Sequence, residues 1–240
     1  MLPQTPTSCE KKSLIQETLS ENQIQVWQIP LSSDLPKRQE VLKKILSEKE
    51  LKKALRLHSP TAQTRAIASR VAMRLLLATH LHCDPRSLQF CYTQNGKPYL
   101  KNSTITFNLS HSGQLALLAI SRHTPLGVDL EKINPHRAIQ QLVARYFSSE
   151  ESKWIASQTS SIVAFHQLWV YKEALAKALA SSIYEELSTE IIPQAPPPFP
   201  IKNYFLHPLP ISDDYVAALA SPASDCKITF HSFGEKQWEC

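Results

Sequence analysis

Apolar residues recur with two different spacings along the chain, and both spacings are found in both halves. Alternation or a short apolar run predicts strands at 25–31, 88–92, 105–109, 115–121, 126–133, 204–206, 215–220 and 226–230. Apolar positions three to four residues apart predict helices at 42–57, 62–80, 149–158 and 162–180. Helices and short strands mixed in this way predict an α+β fold.

The chain is predicted to divide near the break His123-Thr124-Pro125, where turn-forming residues interrupt the apolar pattern. This gives an N-terminal unit at 23–122 and a C-terminal unit at 123–240, each close to the commonest domain size. Residues 1–22 are polar and unpatterned, so we expect a flexible tail. The proline-rich stretch 193–200 is predicted to be an extended surface loop.

Composition and charge exclude some classes of function. The chain has 240 residues, 42% of them hydrophobic and 20% charged, which is typical of a globular protein. Its net charge of +5 is too small for a dedicated nucleic-acid binder. Segment 37–74 nevertheless holds eleven Lys and Arg against three Glu, without a Phe, Trp or Tyr. It is either a solvated amphipathic helix pair or a docking surface for a polyanion, and the lack of aromatics disfavours nucleic acid.

The five cysteines are scattered and lack the close spacing of a zinc site, so reduced thiols are expected. The first twenty residues do not resemble a signal peptide, and no apolar run approaches the roughly 18 residues of a membrane span. We therefore expect a cytoplasmic protein with no membrane segment.

Two carboxylates lie on one face of the predicted strand at 126–133. Val128 and Leu130 would point to one side, and Asp129 and Glu131 to the other. Two carboxylates about 6–7 Å apart repel each other unless a cation or hydrogen-bond donors lie between them. The alternative is an edge strand whose outer face is simply solvated.

A third carboxylate belongs to the helix at 162–180. Phe165, Trp169, Glu173 and Lys177 recur every four residues and form one stripe, whose aromatic members indicate a buried surface. A carboxylate beside buried surface needs a partner. That partner is either Lys177, as an ordinary i, i+4 pair, or a cation shared with the strand carboxylates.

Three carboxylates suit a hard divalent cation. Asp129, Glu131 and Glu173 are oxygen ligands of the kind that Mg²⁺ takes, together with water and substrate phosphate. Mg²⁺ bound in this way assists phosphoryl chemistry because it neutralises charge on a pyrophosphate.

Five motifs in order resemble those of one enzyme family. Gly-Val-Asp-Leu-Glu at 127–131, followed by Trp169-x-x-Lys172-Glu173-x-x-x-Lys177, resembles the paired signature of the 4′-phosphopantetheinyl transferases, in particular the double-length, surfactin-synthetase-activating type. Three shorter segments are also similar to family motifs: Gly-Lys-Pro at 96–98, Asn-Leu-Ser-His-Ser-Gly at 108–113 and Tyr-Phe-Ser-Ser-Glu-Glu at 146–151.

The resemblance implies a fold and a reaction. It implies two similar subdomains related by a pseudo-twofold, with the active site in the cleft between them, so that a monomer suffices. It implies transfer of phosphopantetheine from coenzyme A to a serine of an apo acyl or peptidyl carrier protein, with Mg²⁺, leaving 3′,5′-ADP. Two other functions stay open: a non-catalytic module that binds coenzyme A or the carrier, and another Mg²⁺-dependent enzyme acting on a nucleotide pyrophosphate.

The resemblance also implies residue roles. Asp129, Glu131 and Glu173 would hold Mg²⁺, and Glu151 would help to activate the carrier serine as a general base. Cationic and polar groups would bind the phosphates and nucleotide of coenzyme A: Lys53, Arg65, Lys97, Ser110, His111 and Lys177.

Three of these assignments have structural alternatives. Ser148 and Glu151 also match a helix capping box. His111 could be a histidine satisfied at a strand end, and Gly96-Lys97-Pro98 a plain turn. The sequence also departs from the family pattern after Lys177, where Ala178 to Ser182 replaces the usual glycines.

Overall fold

The computed structural model describes residues 19–31, 42–193, 196–234 and 237–238. The helices are α1 (Glu48–Leu55), α2 (Pro60–Leu81), α3 (Gln140–Tyr146), α4 (Ser149–Ser157), α5 (Ser161–Leu179) and α6 (Ile183–Glu186). The strands are β1 (Gln23–Pro30), β2 (Phe90–Tyr92), β3 (Pro98–Leu100), β4 (Ile105–Ser112), β5 (Leu115–Arg122), β6 (Gly127–Lys132), β7 (Phe199–Ile201), β8 (Tyr204–Pro208), β9 (Tyr215–Ser221) and β10 (Lys227–Ser232). The predicted α+β class is confirmed.

The strands form two four-stranded sheets and a small hairpin. The first sheet has the order β10-β1-β5-β4, the second has the order β6-β9-β8-β7, and β2 pairs with β3. All pairs are antiparallel except β1 with β10, which are parallel. The expected boundary at residue 123 separates β5, in the first sheet, from β6, in the second.

One long helix packs on the outer face of each sheet. Ser59 caps the start of α2 ahead of Pro60, and α2 buries its Ile67, Val71 and Leu75 among side chains of β1, β4 and β5. Ser160 caps the start of α5, which covers β8 and β9 in the second core. A third core joins the inner faces of the two sheets, so the layers run helix, sheet, sheet, helix.

The second unit was expected to span 123–240, but its last strand, β10, belongs to the first sheet. β10 leaves the second half and pairs along β1, from Gln23 opposite Lys227 to Gln28 opposite Ser232. His231 stacks on Trp27 with ring centroids 4.7 Å apart. The reason is physical, because β1 without β10 would present an unpaired edge beside buried side chains.

Two further expectations need correction. The expected tail, 1–22, extends too far, because Leu19 is buried in the first core; residues 1–18 lie outside the described residues. The expected loop, 193–200, ends earlier than predicted, since β7 begins at Phe199 and that side chain is buried against α5.

The described cysteines Cys83, Cys91 and Cys226 are free thiols, whereas Cys9 and Cys240 lie outside the described residues. Within the described parts of the chain, no helix has both the length and the apolarity to cross a membrane.

Candidate functional site

The site begins with β6, which lies at the edge of the second sheet and next to β4 of the first. Val128 and Leu130 enter the core between the sheets, as the alternation predicted. Asp129 is buried and Glu131 is half-buried on the opposite face. The strand therefore presents both carboxylates where the two halves of the molecule meet.

Side chains of β4, rather than a backbone ladder, fasten β6 to the first sheet. Thr106, Asn108, Ser110 and Ser112 alternate along one face of β4. The Asn108 Oδ1 accepts from the Val128 amide at 2.8 Å. Ser110 Oγ donates to Asp129 Oδ1 at 2.6 Å, and Ser112 Oγ donates to Glu131 Oε2 at 2.9 Å. Both strand carboxylates are thus held by serines of the other half.

Gly127 allows α5 to lie directly against β6. A Cβ at this position would lie 2.1 Å from the Ala174 carbonyl oxygen and 2.3 Å from the Ala178 amide nitrogen, both on α5. Only a residue without a side chain permits this backbone approach. The approach carries Glu173 and Lys177 of α5 to the carboxylates of β6.

Lys177, Asp129 and Ser110 form a closed hydrogen-bonded group. Lys177 Nζ donates to Asp129 Oδ1 at 2.5 Å and to Ser110 Oγ at 3.0 Å. Asp129 Oδ2 is buried and has no hydrogen-bond partner among the described residues. Lys177 was one of the two partners considered for Glu173, the other being a shared cation, and in the structure Lys177 pairs with Asp129.

The carboxylates of Asp129, Glu131 and Glu173 together carry more negative charge than Lys177 neutralises. Burial and then the Asp129 carboxylate raise the pKa of Glu131, although its bond to Ser112 opposes that shift. Burial, then Asp129 and, more weakly, Glu131 raise the pKa of Glu173, against the effect of Lys177. Each raised pKa has the direction expected of carboxylates that face one another without enough positive charge.

The donor set fits a divalent cation that also binds substrate. Within the described residues, no three Asp, Glu, His or Cys side chains by themselves form a group that could hold a metal ion. Mg²⁺ needs fewer, since one or two carboxylates, water and a substrate phosphate complete its shell. The unpartnered Asp129 Oδ2 and the mutual repulsion of the carboxylates are both relieved by such a cation.

Lys97 lies at this junction, on the turn between β2 and β3. Its Nζ donates to the carbonyl oxygen of Leu126, the residue before β6, at 2.8 Å. Burial lowers the pKa of Lys97 to about 8. In the same turn Gly96 takes φ +80 and Asn95 Nδ2 donates to the Ala180 carbonyl oxygen at 3.0 Å. The turn therefore bridges the start of β6 and the end of α5.

His111 follows Ser110 on β4 and, by the alternation of the strand, lies on the opposite face, toward α2. Loss of surrounding water and then the charge of Lys177 lower its pKa, with a smaller effect in the same direction from Arg70 on α2. Arg70 was counted in the basic segment but was not predicted as a site residue. The charge of Arg70 acts on His111, while its ion pair is with Glu50 on α1 at 3.8 Å.

The two other basic residues predicted to bind coenzyme A have no recorded contact with the group. Lys53 is exposed on α1 and Arg65 is half-buried near the start of α2. Arg74, from the same basic segment, is instead structural: its guanidinium donates to Glu50 Oε2 at 2.6 and 2.9 Å and is almost fully buried. Lys37 and Arg38 lie outside the described residues.

Glu151 does not have the accessibility that a general base requires. Its side chain is 0% exposed and pairs with Lys172, also 0% exposed, at 2.7 Å. Oε2 accepts from the Ser148 amide at 2.8 Å, completing a capping box at the start of α4, and Oε1 accepts from the Ile191 amide at 2.8 Å. The predicted capping box is confirmed, and the burial of Glu151 argues against the catalytic role implied by the resemblance.

The departure after Lys177 has a local explanation. α5 ends at Ala180, which takes the left-handed conformation (φ 54°, ψ 27°) that a glycine would adopt more easily. An alanine there costs about 1 kcal/mol. The helix end still closes, because the Ala180 and Ser181 amides donate to carbonyls of the last turn and Asn95 binds the Ala180 carbonyl.

The sequence interpretation assigned no role to Ser112 and Gly127 at the site, or to Lys172 beside Glu151. Each of the three residues was named only as part of a motif that resembles the family, without a function of its own. A signal existed for Lys172, since this lysine and Glu173 together interrupt the otherwise apolar stretch 168–176. Nothing in the sequence indicates which backbone approaches Gly127.

Two family models match the chain, one in each half. The model of the 4′-phosphopantetheinyl transferase superfamily matches residues 125–220, which include β6 and α5. The model described as 4′-phosphopantetheinyl transferase, N-terminal, matches residues 33–123. The boundary between the two matches falls at the break between β5 and β6.

Individual relatives agree with these models. The chain is 34% identical over 190 residues to the 4′-phosphopantetheinyl transferase HetI of Nostoc sp., which covers 75% of this chain and 78% of the relative. It is 34% identical over 176 residues to a putative 4′-phosphopantetheinyl transferase of Synechocystis sp., covering 71% and 70%. It is 32% identical over 148 residues to the 4′-phosphopantetheinyl transferase AcpT of Salmonella typhi, covering 60% and 74%.

Proposed function

Because the chain belongs to the 4′-phosphopantetheinyl transferase superfamily, we propose that it transfers the 4′-phosphopantetheine group of coenzyme A to a serine of an apo acyl or peptidyl carrier protein. The serine oxygen bonds to the β-phosphorus of coenzyme A, the bond to the bridging oxygen breaks, and 3′,5′-ADP leaves. The observation that carries the proposal is the group formed by Asp129, Glu131, Glu173 and Lys177 at the junction of the two sheets.

Asp129, Glu131 and Glu173 would hold Mg²⁺ in this reaction. The bound metal would supply charge neutralisation on the pyrophosphate and its leaving group. The support is the free Oδ2 of buried Asp129 and the raised pKa of each glutamate.

The phosphates of coenzyme A would meet the positive groups around these carboxylates. Lys177 is only partly exposed, with 27% of its side chain open to solvent, and it lies where a phosphate oxygen would compete for its ammonium group. Lys97 and Ser110 lie at the same junction in the first half, and the exposed His111 would bind a phosphate from the other face of β4. Arg70 extends this set toward α2, and Lys53 and Arg65 would bind the nucleotide further out on the basic helices.

The proton of the carrier serine needs an acceptor other than Glu151. Glu131 and Glu173 are half-buried, so their carboxylates remain accessible from the junction as proton acceptors. An oxygen of one of these carboxylates that the metal does not use is therefore the proposed acceptor, directly or through a water.

One chain supplies both sheets and all of the groups above, so a monomer is sufficient for the reaction. We place the enzyme in the cytoplasm, together with coenzyme A and its carrier proteins.

Intact-mass measurement of an apo acyl carrier protein tests the proposal. We expect incubation with this protein, coenzyme A and Mg²⁺ to add the mass of one phosphopantetheine arm, and EDTA to prevent the addition. A carrier whose acceptor serine is replaced by alanine is the matched control and should gain nothing. If no acyl or peptidyl carrier gains mass although coenzyme A binds, the binding-module alternative replaces the enzyme; if coenzyme A is consumed without transfer, another pyrophosphate-directed enzyme does.

The kcat/KM for coenzyme A should depend on pH because Lys97 loses its charge in the neutral to alkaline range. The pKa of Lys97, lowered to about 8, means that its ammonium is charged below pH 8 and neutral above it. We therefore expect kcat/KM for coenzyme A to fall about tenfold as pH rises from 7.5 to 9.5, because a bond to a charged partner contributes about 1.5–3 kcal/mol.

Lys97→Met should lower kcat/KM at neutral pH and remove this fall, while the exposed Lys101→Met should keep the wild-type profile. A Lys97→Met variant with the wild-type pH dependence would assign the titration to another group.

A further inference from the structure

The polar face of β4 contacts the segment around β6 at four successive positions. Thr106 Oγ1 donates to the Thr124 carbonyl oxygen at 2.5 Å, and Asn108 accepts from the Val128 amide. Ser110 and Ser112 donate to Asp129 and Glu131. The first two positions bind main-chain atoms of this segment, and Thr106 also bonds to Ser121 Oγ on β5, whereas the last two positions bind carboxylates.

Ser112 differs from the other three because it holds a carboxylate and the backbone beside it. Its Oγ donates to Glu131 Oε2 at 2.9 Å and accepts from the Lys132 amide at 3.0 Å. Because a carboxylate oxygen only accepts, the hydroxyl hydrogen is directed to Glu131, while a lone pair of the same oxygen accepts from the Lys132 amide. Ser112 therefore fixes the glutamate relative to its own strand.

The next residue fixes Ser112 itself. Gly113 has φ +58 in the turn between β4 and β5, and a Cβ there would lie 2.8 Å from Tyr215 Oη and 2.9 Å from Lys132 Cδ. The Gln114 amide donates to the same Tyr215 hydroxyl at 3.1 Å. The tip of the hairpin is thus packed against β6 and β9, so Ser112 is presented from a rigid element.

Glu131 needs such an anchor. Asp129 lies two residues away on the same face and repels it, and the ammonium of Lys177 is bonded to Asp129 instead. Arg137 partly offsets this repulsion, but its guanidinium lies over the rings of Phe165 and Trp169. Without the Ser112 bond, repulsion would favour rotamers of Glu131 that turn away from Asp129. A cation shared by both carboxylates requires that they point to a common position.

We propose that Ser112 is a positioning residue that holds the Glu131 carboxylate toward the divalent cation, across the junction between the two sheets. This rests on the proposed function, because it takes Glu131 to be a ligand of that cation. Hydrogen-bonded partners of metal ligands typically change metal affinity by about 10–100-fold when they are removed.

Mn²⁺ binding, measured by electron paramagnetic resonance with coenzyme A present and no carrier, tests this without turnover. We expect Ser112→Ala to weaken Mn²⁺ binding about tenfold, and Ser112→Thr, which keeps the hydroxyl, to restore it. Thr106→Val is the matched control, because it removes a bond from the same face of β4 that reaches no carboxylate. The Mg²⁺ concentration for half-maximal transfer should rise with Ser112→Ala in the same proportion.

Two failures are distinguishable. If the wild type binds no Mn²⁺, the proposed metal site fails, and this inference fails with it. If the wild type binds Mn²⁺ and Ser112→Ala binds it equally well, the positioning role alone is overturned. Equal weakening by Ser112→Ala and Thr106→Val would also overturn it, because a general loosening of the junction would then explain the loss.

Discussion

Replacing Gly127 by alanine is expected to lower the rate of phosphopantetheine transfer about 100-fold and to destabilise the fold by about 3 kcal/mol. The added methyl group would lie 2.1 Å from the Ala174 carbonyl oxygen and 2.8 Å from the Lys177 carbonyl carbon. These are backbone atoms of a helix, so α5 must shift as a body. A shift of about 1 Å carries Glu173 and Lys177 away from Asp129 and Glu131, and misplacement of that size costs about 100-fold.

Transfer kinetics and urea unfolding measure the two effects separately. Gly234→Ala is the matched control, because a Cβ there has its closest contact at 3.4 Å, with the flexible Gln237 side chain. It should change neither quantity measurably. Wild-type activity in Gly127→Ala would mean that the position of α5 against β6 does not set the geometry of the site.

The close approach at Gly127 illustrates what the sequence could predict here and what it could not. The alternation around Asp129 and Glu131 and the helical stripe through Glu173 were visible, and the structure confirms the strand and the helix. The close approach itself was invisible, because it depends on a backbone contact between residues about fifty positions apart in the chain.

The polar face of β4 was ambiguous for a related reason. Apolar Ile105, Phe107 and Leu109 alternate with polar residues, a pattern typical of a strand with one face in water. The structure covers that face with β6, whose carboxylates and amides take the place of water. A strand that faces solvent and one that faces a polar neighbour have the same pattern, so the pattern alone does not predict that β6 covers this face.

Some elements left little signal of their own. α3 begins after Ile139, whose side chain makes no capping hydrogen bond, and no start signal marks it in the sequence. β10 was predicted as a strand, but its place beside β1 depends on which edge is free. Long periodic segments were therefore predictable, whereas uncapped short helices and pairings between distant strands were not.

Lys172→Met is expected to lower the free energy of unfolding by about 3–5 kcal/mol, the largest stability effect that we predict. Lys172 Nζ donates to Glu151 Oε1 at 2.7 Å and to the Leu187 and Thr189 carbonyl oxygens at 3.0 and 2.6 Å. Burial lowers the pKa of Lys172, and the adjacent Glu151 opposes that shift. Removing the ammonium leaves the Glu151 carboxylate and the two carbonyl oxygens without this donor, in a site closed to water. Urea unfolding measures the loss.

Glu151→Gln separates this structural role from the catalytic role implied by the resemblance. A general base would lose turnover at unchanged stability. If Glu151 is instead a buried partner of Lys172, the variant loses stability but has the wild-type kcat at temperatures well below its unfolding transition. A double-mutant cycle should then show a coupling energy with Lys172→Met of at least about 1 kcal/mol. Lys153→Met, which breaks the exposed pair with Glu150 on α4, is the matched control and should change stability by less than about 0.5 kcal/mol. Because both oxygens of Glu151 already accept hydrogen bonds inside the protein, we expect the stability loss and the coupling; loss of turnover alone would return Glu151 to the reaction.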